Sequence, residues 1–147
     1  MIITFCGHSS FIGTVEIKDK MMNILEEKVG NEPAEFLLGG YGDFDLFAYS
    51  CCKEYQKAHP QVKLIFVTPY ITESYQRNHL EDKNNFYDEI IYPEIEKAPP
   101  RFAISHRNKW MVEKSELVIA YVKNTYGGAY QTYKHAQRKS KEIINLV

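Results

Sequence analysis

The segment FLLGGYGDFD, residues 36–45, is the first place in this sequence where residue types and spacing could do chemistry. A short apolar run leads into Gly39, Gly40 and Gly42, and the acidic Asp43 follows. Glycines let backbone N–H groups approach a ligand closely, and the N-terminus of a following helix favours an anion such as phosphate. The segment therefore indicates a site for a phosphorylated or nucleotide-like ligand. The alternative is that the glycines only form a tight turn between a strand and a helix.

The segment NTYGGAYQT repeats this arrangement later in the chain, with Gly127, Gly128 and Thr132. Two such loops favour ligand binding over turn geometry alone, because parallel strands bring the loops at their carboxyl ends to one edge of the sheet. Gly7-His8 and Thr68-Pro69 follow other apolar runs and are expected at the same edge. The glycine spacing fits neither a dinucleotide fingerprint nor a Walker A loop, so neither of those sites is expected.

The elements that must position these loops follow from hydrophobic periodicity. Short apolar runs predict strands at 2–5, 34–38, 62–67, 90–92, 117–122 and 142–146. Helical periodicity predicts helices over 17–29, 44–55, 108–114 and 130–139, with Gly30 as a left-handed C-terminal cap and Asp43 as an N-cap. Residues 71–100 lack sustained periodicity and are expected to form an irregular lobe. Alternating strands and helices predict an α/β, Rossmann-like three-layer domain, with a mainly parallel sheet flanked by helices.

The composition fits one globular domain that spans residues 1–147, with 44% hydrophobic and 25% charged residues. A formal net charge of −1 offers no basic field for a nucleic-acid backbone, so a nucleic-acid partner is not expected. Cys6, Cys51 and Cys52 lack the spacing of a zinc site or a disulfide framework, which favours a reducing cytoplasm. The N-terminal apolar run is too short for a signal peptide or a membrane span, so no membrane partner is expected.

Three segments in this order, GGYGDFDLFA, SHRNKWMVEKSELVIAYV and GGAYQTYKHA, carry a family resemblance. Over nearly its whole length the chain resembles the SLOG superfamily, and its YpsA-like branch in particular. That superfamily includes the LOG phosphoribohydrolases, DprA and sensor domains that bind nucleotide signals. The resemblance implies a Rossmann-like fold and a nucleotide-type ligand. SLOG relatives commonly associate, so a homo-oligomer is a further possibility.

The resemblance also implies roles for individual residues. Gly7 and His8 match an early Gly-His segment, although Ser9 stands where an arginine is usual, which weakens a phosphate contact there. Arg107 and Asn108 match an arginine–asparagine segment, in which a guanidinium can clamp a phosphate. The alternative for Arg107 is that it only pairs with a nearby acid.

The catalytic carboxylate of the LOG enzymes has no counterpart here. Their last loop has the form PGGxGTxxE, whereas GGAYQTYKHA places Lys134 or His135 where the glutamate would stand. LOG-type hydrolysis is therefore not supported, since its transition state would lack a carboxylate. In the first loop, Asp43 and Asp45 could supply acid chemistry or accept a hydrogen bond from a ribose hydroxyl, unless Asp43 is a plain helix cap.

The expected function is therefore binding of a nucleotide or nucleotide-derived small molecule, for sensing or sequestration, with no cofactor and no metal. A LOG-type nucleotide N-glycosidase is the enzymatic alternative, and a DNA-processing protein is the third. Whether the ligand is turned over stays open. The expected ligand-binding residues are Gly7, His8, Gly39, Gly40, Gly42, Asp43, Thr68, Pro69, Arg107, Asn108, Gly127, Gly128 and Thr132.

Overall fold

A computed structural model of the chain describes residues 1–69, 86–93 and 99–147. The elements of these residues, in chain order, are β1 (Ile2–Gly7), α1 (Val15–Lys28), β2 (Ala34–Leu38), α2 (Asp43–Ala58), β3 (Val62–Val67), β4 (Glu89–Ile91), α3 (Ala103–Lys114), β5 (Leu117–Tyr121), α4 (Gly128–Arg138) and β6 (Glu142–Asn145). A single 3₁₀ turn, Pro100–Phe102, leads into α3. The predicted strands are confirmed to within one or two residues. Most of the irregular lobe predicted for 71–100 lies outside the described residues.

The strands form one sheet in the order β4-β3-β2-β1-β5-β6, and every pairing is parallel. The chain moves outward from β1 to β4, then returns to the other side of β1 and continues outward through β5 to β6. Ile3 is paired with Phe36 of β2 on one side and with Leu117 of β5 on the other. This arrangement confirms the predicted Rossmann-like α/β fold.

Side chains alternate across the central strands and fill a separate core on each face of the sheet. Ile3 and Phe5 of β1 and Ile119 of β5 belong to the core beneath α1 and α2. Cys6 and Val118, which point the opposite way, pack with residues of α3 and α4. Because both faces are covered, the strands are almost continuously apolar, as parallel sheets require. The domain therefore has three layers.

Helix ends show one confirmed prediction and one correction. Gly30 follows α1 with φ 56°, the left-handed conformation predicted for it. Asp43 is not the N-cap of α2, because that position belongs to Gly42 and has φ 90° and ψ 170°, a conformation that suits glycine. Asp43 is instead the first helical residue, and its Oδ2 atom accepts a 3.3 Å hydrogen bond from the Phe11 N–H.

Among the helices of the described ranges, none is long and apolar enough to cross a bilayer.

Candidate functional site

A cavity of about 450 Å³ opens where the loop after β1 meets the segment after β5. Strand order reverses at this point, since β2 lies on one side of β1 and β5 on the other. Open α/β sheets bind ligands at such a reversal, and the volume is in the range of small-molecule sites. We call this space the β1–β5 cavity. Its lining residues are Phe5, Cys6, Gly7, His8, Ser9, Ser10, Tyr41, Asp45, Ile104, Arg107, Asn108, Met111, Asn124, Tyr126, Gly127, Gly128, Ala129 and Thr132.

The structure brings only part of the predicted site together at this cavity. Residues from three separate segments line it, namely Gly7, His8, Arg107, Asn108, Gly127, Gly128 and Thr132. The remaining predicted residues do not line it, namely Gly39, Gly40, Gly42, Asp43, Thr68 and Pro69. Thr68 is buried, and its backbone N–H donates to the Ile91 carbonyl, which extends the pairing of β3 with β4.

The first glycine loop is held by contacts inside the protein. A Cβ atom on Gly39 would lie 3.0 Å from Cζ of Arg107, and one on Gly42 would lie 2.8 Å from Cα of Ser9. Gly40 has φ 64°, a left-handed conformation that glycine adopts without strain. These positions therefore need glycine for turn geometry and close packing, and what the loop presents to the cavity is Tyr41 and Asp45.

Asp45 lies in the first turn of α2. Among the described residues that line the cavity, it is the acidic one. Its Oδ2 atom accepts a 2.9 Å hydrogen bond from the Tyr41 N–H. Burial raises the pKa of Asp45 to about 6, while the Tyr41 hydrogen bond and the positive charge of Arg107 act in the opposite direction. Near neutral pH this carboxyl therefore titrates within the cavity.

Arg107 joins α3 to the carboxyl ends of β2 and β3. Its Nη1 atom donates to the Gly39 carbonyl at 2.9 Å and to the Val67 carbonyl at 2.8 Å, and its Nε donates to Oδ1 of Asn108 at 2.9 Å. The side chain is 2% exposed, so these bonds form in a buried environment. Arg107 therefore has a structural role, and it also places a permanent positive charge in the wall of the cavity.

His8 holds the segment that leads from β5 into α4. Its Nε2 atom accepts hydrogen bonds from the backbone N–H groups of Lys123 and Asn124, at 3.0 and 3.3 Å. Both bonds require an unprotonated Nε2, which places the ring proton on Nδ1. Gly7, next to it, must be glycine because a Cβ atom there would overlap the ring of Phe44. The loop after β1 thus fixes the approach to α4.

The second glycine loop is open where the first is packed. Gly127 is the N-cap of α4 with φ 92°, and no side chain caps the helix. A Cβ atom on Gly127 or Gly128 would meet nothing within 4 Å. Thr132 is buried one turn further on and donates from Oγ1 to the Gly128 carbonyl at 3.0 Å. The uncapped N-terminus of α4 therefore faces open space in the cavity, where its partial positive charge favours an anion.

Several cavity residues were not among those predicted, including Cys6, Ile104, Met111, Asn124 and Tyr126. Burial and the negative charge of Asp45 raise the pKa of Cys6 to about 12, so its thiol stays protonated and is a poor nucleophile. His106 is exposed on α3 and does not line the cavity. His135 is largely buried with Nε2 3.4 Å from Oε1 of Glu113, and it does not line the cavity either.

An all-parallel sheet with a cavity at its strand-order reversal defines the chain as a Rossmann-like α/β domain. Among solved structures, the chain is similar to DNA processing protein A from Helicobacter pylori, described for its single-stranded DNA binding mode, with TM-score 0.61 and 18% identity over 97% of this chain and 63% of that chain. DNA processing protein A (DprA) from Streptococcus pneumoniae gives TM-score 0.64 and 14% identity over 96% of this chain and 48% of that one. The molybdenum cofactor carrier protein from Chlamydomonas reinhardtii gives TM-score 0.57 and 17% identity, over 97% and 73% of the two chains.

These likenesses concern the fold, since the sequences are far apart. The chain spans less than two thirds of the length of either DNA-processing structure. No protein-family model matches the chain, and no curated protein matches it in sequence.

The prediction that excluded a nucleic-acid partner on the basis of net charge is wrong. Two of the structures that share this fold are DNA-processing proteins, and one of them is described by how it binds single-stranded DNA. The physical reason is that a net charge of −1 averages over the whole surface. A local groove with aromatic side chains can hold a single strand even when the net charge is close to zero.

Proposed function

We propose that residues 1–147 form a single SLOG-type domain of the YpsA-like branch, which binds a nucleotide or nucleotide-derived small molecule in the β1–β5 cavity. One observation carries the proposal: a buried arginine and the uncapped, glycine-opened N-terminus of α4 line the same cavity. Both features favour an anionic group, and they come from the consecutive helices α3 and α4, which are joined through β5. The packing of α3 and α4 on the same face of the sheet brings them together.

The polar part of the ligand belongs near α4. Backbone N–H groups at a helix N-terminus point along the helix axis, and the absence of Cβ atoms at Gly127 and Gly128 lets a phosphate approach them. Side chains of Ser9, Ser10 and Asn124 add hydrogen-bonding groups to the wall of the cavity. A phosphate at this position would also feel the charge of Arg107.

The planar part of the ligand belongs near the two tyrosines of the cavity wall. Tyr41 is 63% exposed and Tyr126 is 71% exposed, although both line the cavity. Large exposed aromatic side chains are a usual platform for stacking a nucleobase. Hydrogen-bond donors for a phosphate, together with exposed aromatic rings, fit a nucleotide better than they fit a simple anion.

We expect the purified protein to bind nucleoside monophosphates or related nucleotides and to release them chemically intact. No glutamate stands among the described residues that line the cavity, burial keeps the Cys6 thiol protonated, and Nε2 of His8 is occupied by the backbone N–H of Lys123. Calorimetry with AMP, NAD and cyclic ADP-ribose-type compounds measures binding. Chromatography of the same mixtures after prolonged incubation measures free base and ribose phosphate, with heat-denatured protein as the control.

Two results would contradict this proposal in different ways. If none of the nucleotides binds, the cavity is not a nucleotide site. If free base accumulates in a clean preparation and disappears on Asp45→Asn substitution, the protein is an N-glycosidase whose carboxylate lies in the first glycine loop.

Binding of single-stranded nucleic acid is the second candidate, favoured by the fold shared with the two DNA-processing structures and by the exposed tyrosines. Fluorescence anisotropy with a labelled oligonucleotide, repeated over a range of salt concentrations, separates the candidates. A single strand with several phosphates in contact with the protein binds with a steep salt dependence. A mononucleotide in the cavity offers one phosphate, so its binding depends much less on salt. Competition by AMP would place the strand in the β1–β5 cavity.

A further inference from the structure

The carboxylate of Asp45 has a structural role at the start of α2 that occupies one of its two oxygens, since Oδ2 accepts a hydrogen bond from the Tyr41 N–H. Asp43 already provides a negative charge at the N-terminus of α2, and the chain runs into that helix through Gly42. Asp45 is half-buried in the cavity wall, where burial opposes its ionisation. A carboxyl group that lines the cavity, can accept more than that one hydrogen bond, and is costly to ionise in the empty protein is a candidate for ligand recognition.

The carboxylate is also not suited to contact a phosphate. Like charges repel, so Asp45 favours the end of the ligand that lies away from the anion, while α4 favours the anion itself. A carboxylate accepts hydrogen bonds through two oxygens, and the Tyr41 N–H uses part of the capacity of Oδ2. The groups that match it on a nucleotide are hydroxyl donors.

We propose that Asp45 is the residue that selects ligands with a free ribose diol over their 2′-deoxy counterparts. The inference rests on the proposed nucleotide function and names the ligand class as ribonucleotides. Asp45 accepts hydrogen bonds from the sugar hydroxyls, the N-terminus of α4 holds the phosphate, and the Tyr41 N–H keeps the carboxylate in place. Asp45 is thus a specificity residue and has no part in bond breaking.

The test compares AMP with 2′-deoxy-AMP by calorimetry at pH 7.5, with wild-type protein and the Asp45→Asn variant. A charge-assisted hydrogen bond is worth about 1.5–3 kcal/mol, so the wild type should prefer AMP by roughly 10- to 100-fold. The Asp45→Asn variant should reduce this preference to a few-fold, since a neutral amide makes the weaker bond. Glu54→Gln is the matched control, because it removes one negative charge from the exposed side of the same helix.

The pH dependence of the preference gives a readout that needs no variant. Within the part of the chain that the structure describes, the groups electrostatically coupled to Asp45 are Arg107 of α3 and Cys6 of β1; a guanidinium keeps its charge and the Cys6 thiol stays protonated through this pH range. With a pKa of about 6, Asp45 is mostly ionised at pH 7.5 and mostly protonated at pH 5. The AMP preference should therefore fall as the pH is lowered through 6. Titration of the phosphate group affects AMP and 2′-deoxy-AMP equally, so it does not change the ratio of their affinities.

Folding of the variant is checked separately. Asn can accept the Tyr41 hydrogen bond and places no charge in the cavity, so the melting temperature of Asp45→Asn at pH 8 should equal or exceed that of the wild type. If neither ligand binds the wild type, the proposed nucleotide function fails. If both bind equally well, or if the preference survives Asp45→Asn and low pH unchanged, nucleotide binding stands and the role of Asp45 is wrong.

Discussion

Replacing Gly128 with valine is expected to weaken AMP binding by roughly 100-fold, or about 2.8 kcal/mol, while the protein stays folded. A Cβ atom at this position meets nothing within 4 Å, so the larger side chain fits without strain and extends into the open space beside the N-terminus of α4. That is the space a phosphate must occupy to reach the backbone N–H groups, and each lost charge-assisted bond is worth about 1.5–3 kcal/mol. Calorimetry measures the affinity.

The control for this variant is Gln137→Val, which adds the same side chain at an exposed position near the other end of α4. Both variants should melt within about 3 °C of the wild type. Unchanged AMP affinity in Gly128→Val would remove the phosphate from the N-terminus of α4. Gly40→Val does not give an equivalent test, because the φ of 64° at that position would strain any side chain.

Replacing Arg107 with alanine is expected to lower the free energy of unfolding by about 3 kcal/mol or more, even in the absence of a ligand. The substitution takes the hydrogen-bond donor away from the buried carbonyls of Gly39 and Val67, and each buried group left without a partner costs about 1–3 kcal/mol. It also leaves a void where the guanidinium packs against Gly39. Trp110, the single tryptophan of the chain, lies on the same helix and reports unfolding by fluorescence in a urea titration.

Arg138→Ala, an exposed substitution at the end of α4, should change the free energy of unfolding by less than about 0.5 kcal/mol. If Arg107→Ala is as stable as the wild type yet loses affinity for AMP, Arg107 acts as a phosphate clamp with little structural role. If it is destabilised and its remaining folded fraction also binds AMP weakly, both roles are present in one side chain.

The fold could be predicted because its signals are local. The apolar runs at 117–122 and 62–67 are strands that are covered on both faces, and each is recognisable without its neighbours. The beginning of α3 was predicted several residues too late, at 108 instead of Ala103. The Pro100–Phe102 turn and the contacts of α3 with the sheet set that boundary, and neither is visible in periodicity.

The site was harder to predict because similar loops have different surroundings. Gly39 and Gly127 are both followed by another glycine and then by a helix, yet only Gly127 is open. What fills the space beside Gly39 is Arg107, a residue 68 positions later in the chain. Such a contact depends on how α3 packs on the sheet, and no local pattern encodes it.

The helical periodicity of α2 could have distinguished Asp45 from Asp43. Asp45 lies three residues before Ala48 and seven before Cys52, both of which are buried, so helical periodicity places it at the edge of the apolar face. Asp43 lies outside that face and is exposed. The two acids of the first loop were therefore distinguishable in principle by their phase on α2, and only Asp45 lines the cavity.

The most direct measurement of the central claim is a titration of ¹⁵N-labelled protein with AMP, followed by amide chemical shifts. Binding in the β1–β5 cavity predicts the largest shifts at the amides of Gly127, Gly128 and Ala129, with further shifts at His8 and Ser9, which line the same cavity. The amides of Glu35 and Lys63, at the amino ends of β2 and β3, should keep their chemical shifts because they lie at the end of the strands away from the cavity. Saturable shifts confined to the amino ends of the strands, or no shifts at millimolar AMP, would contradict the claim that this cavity holds a nucleotide.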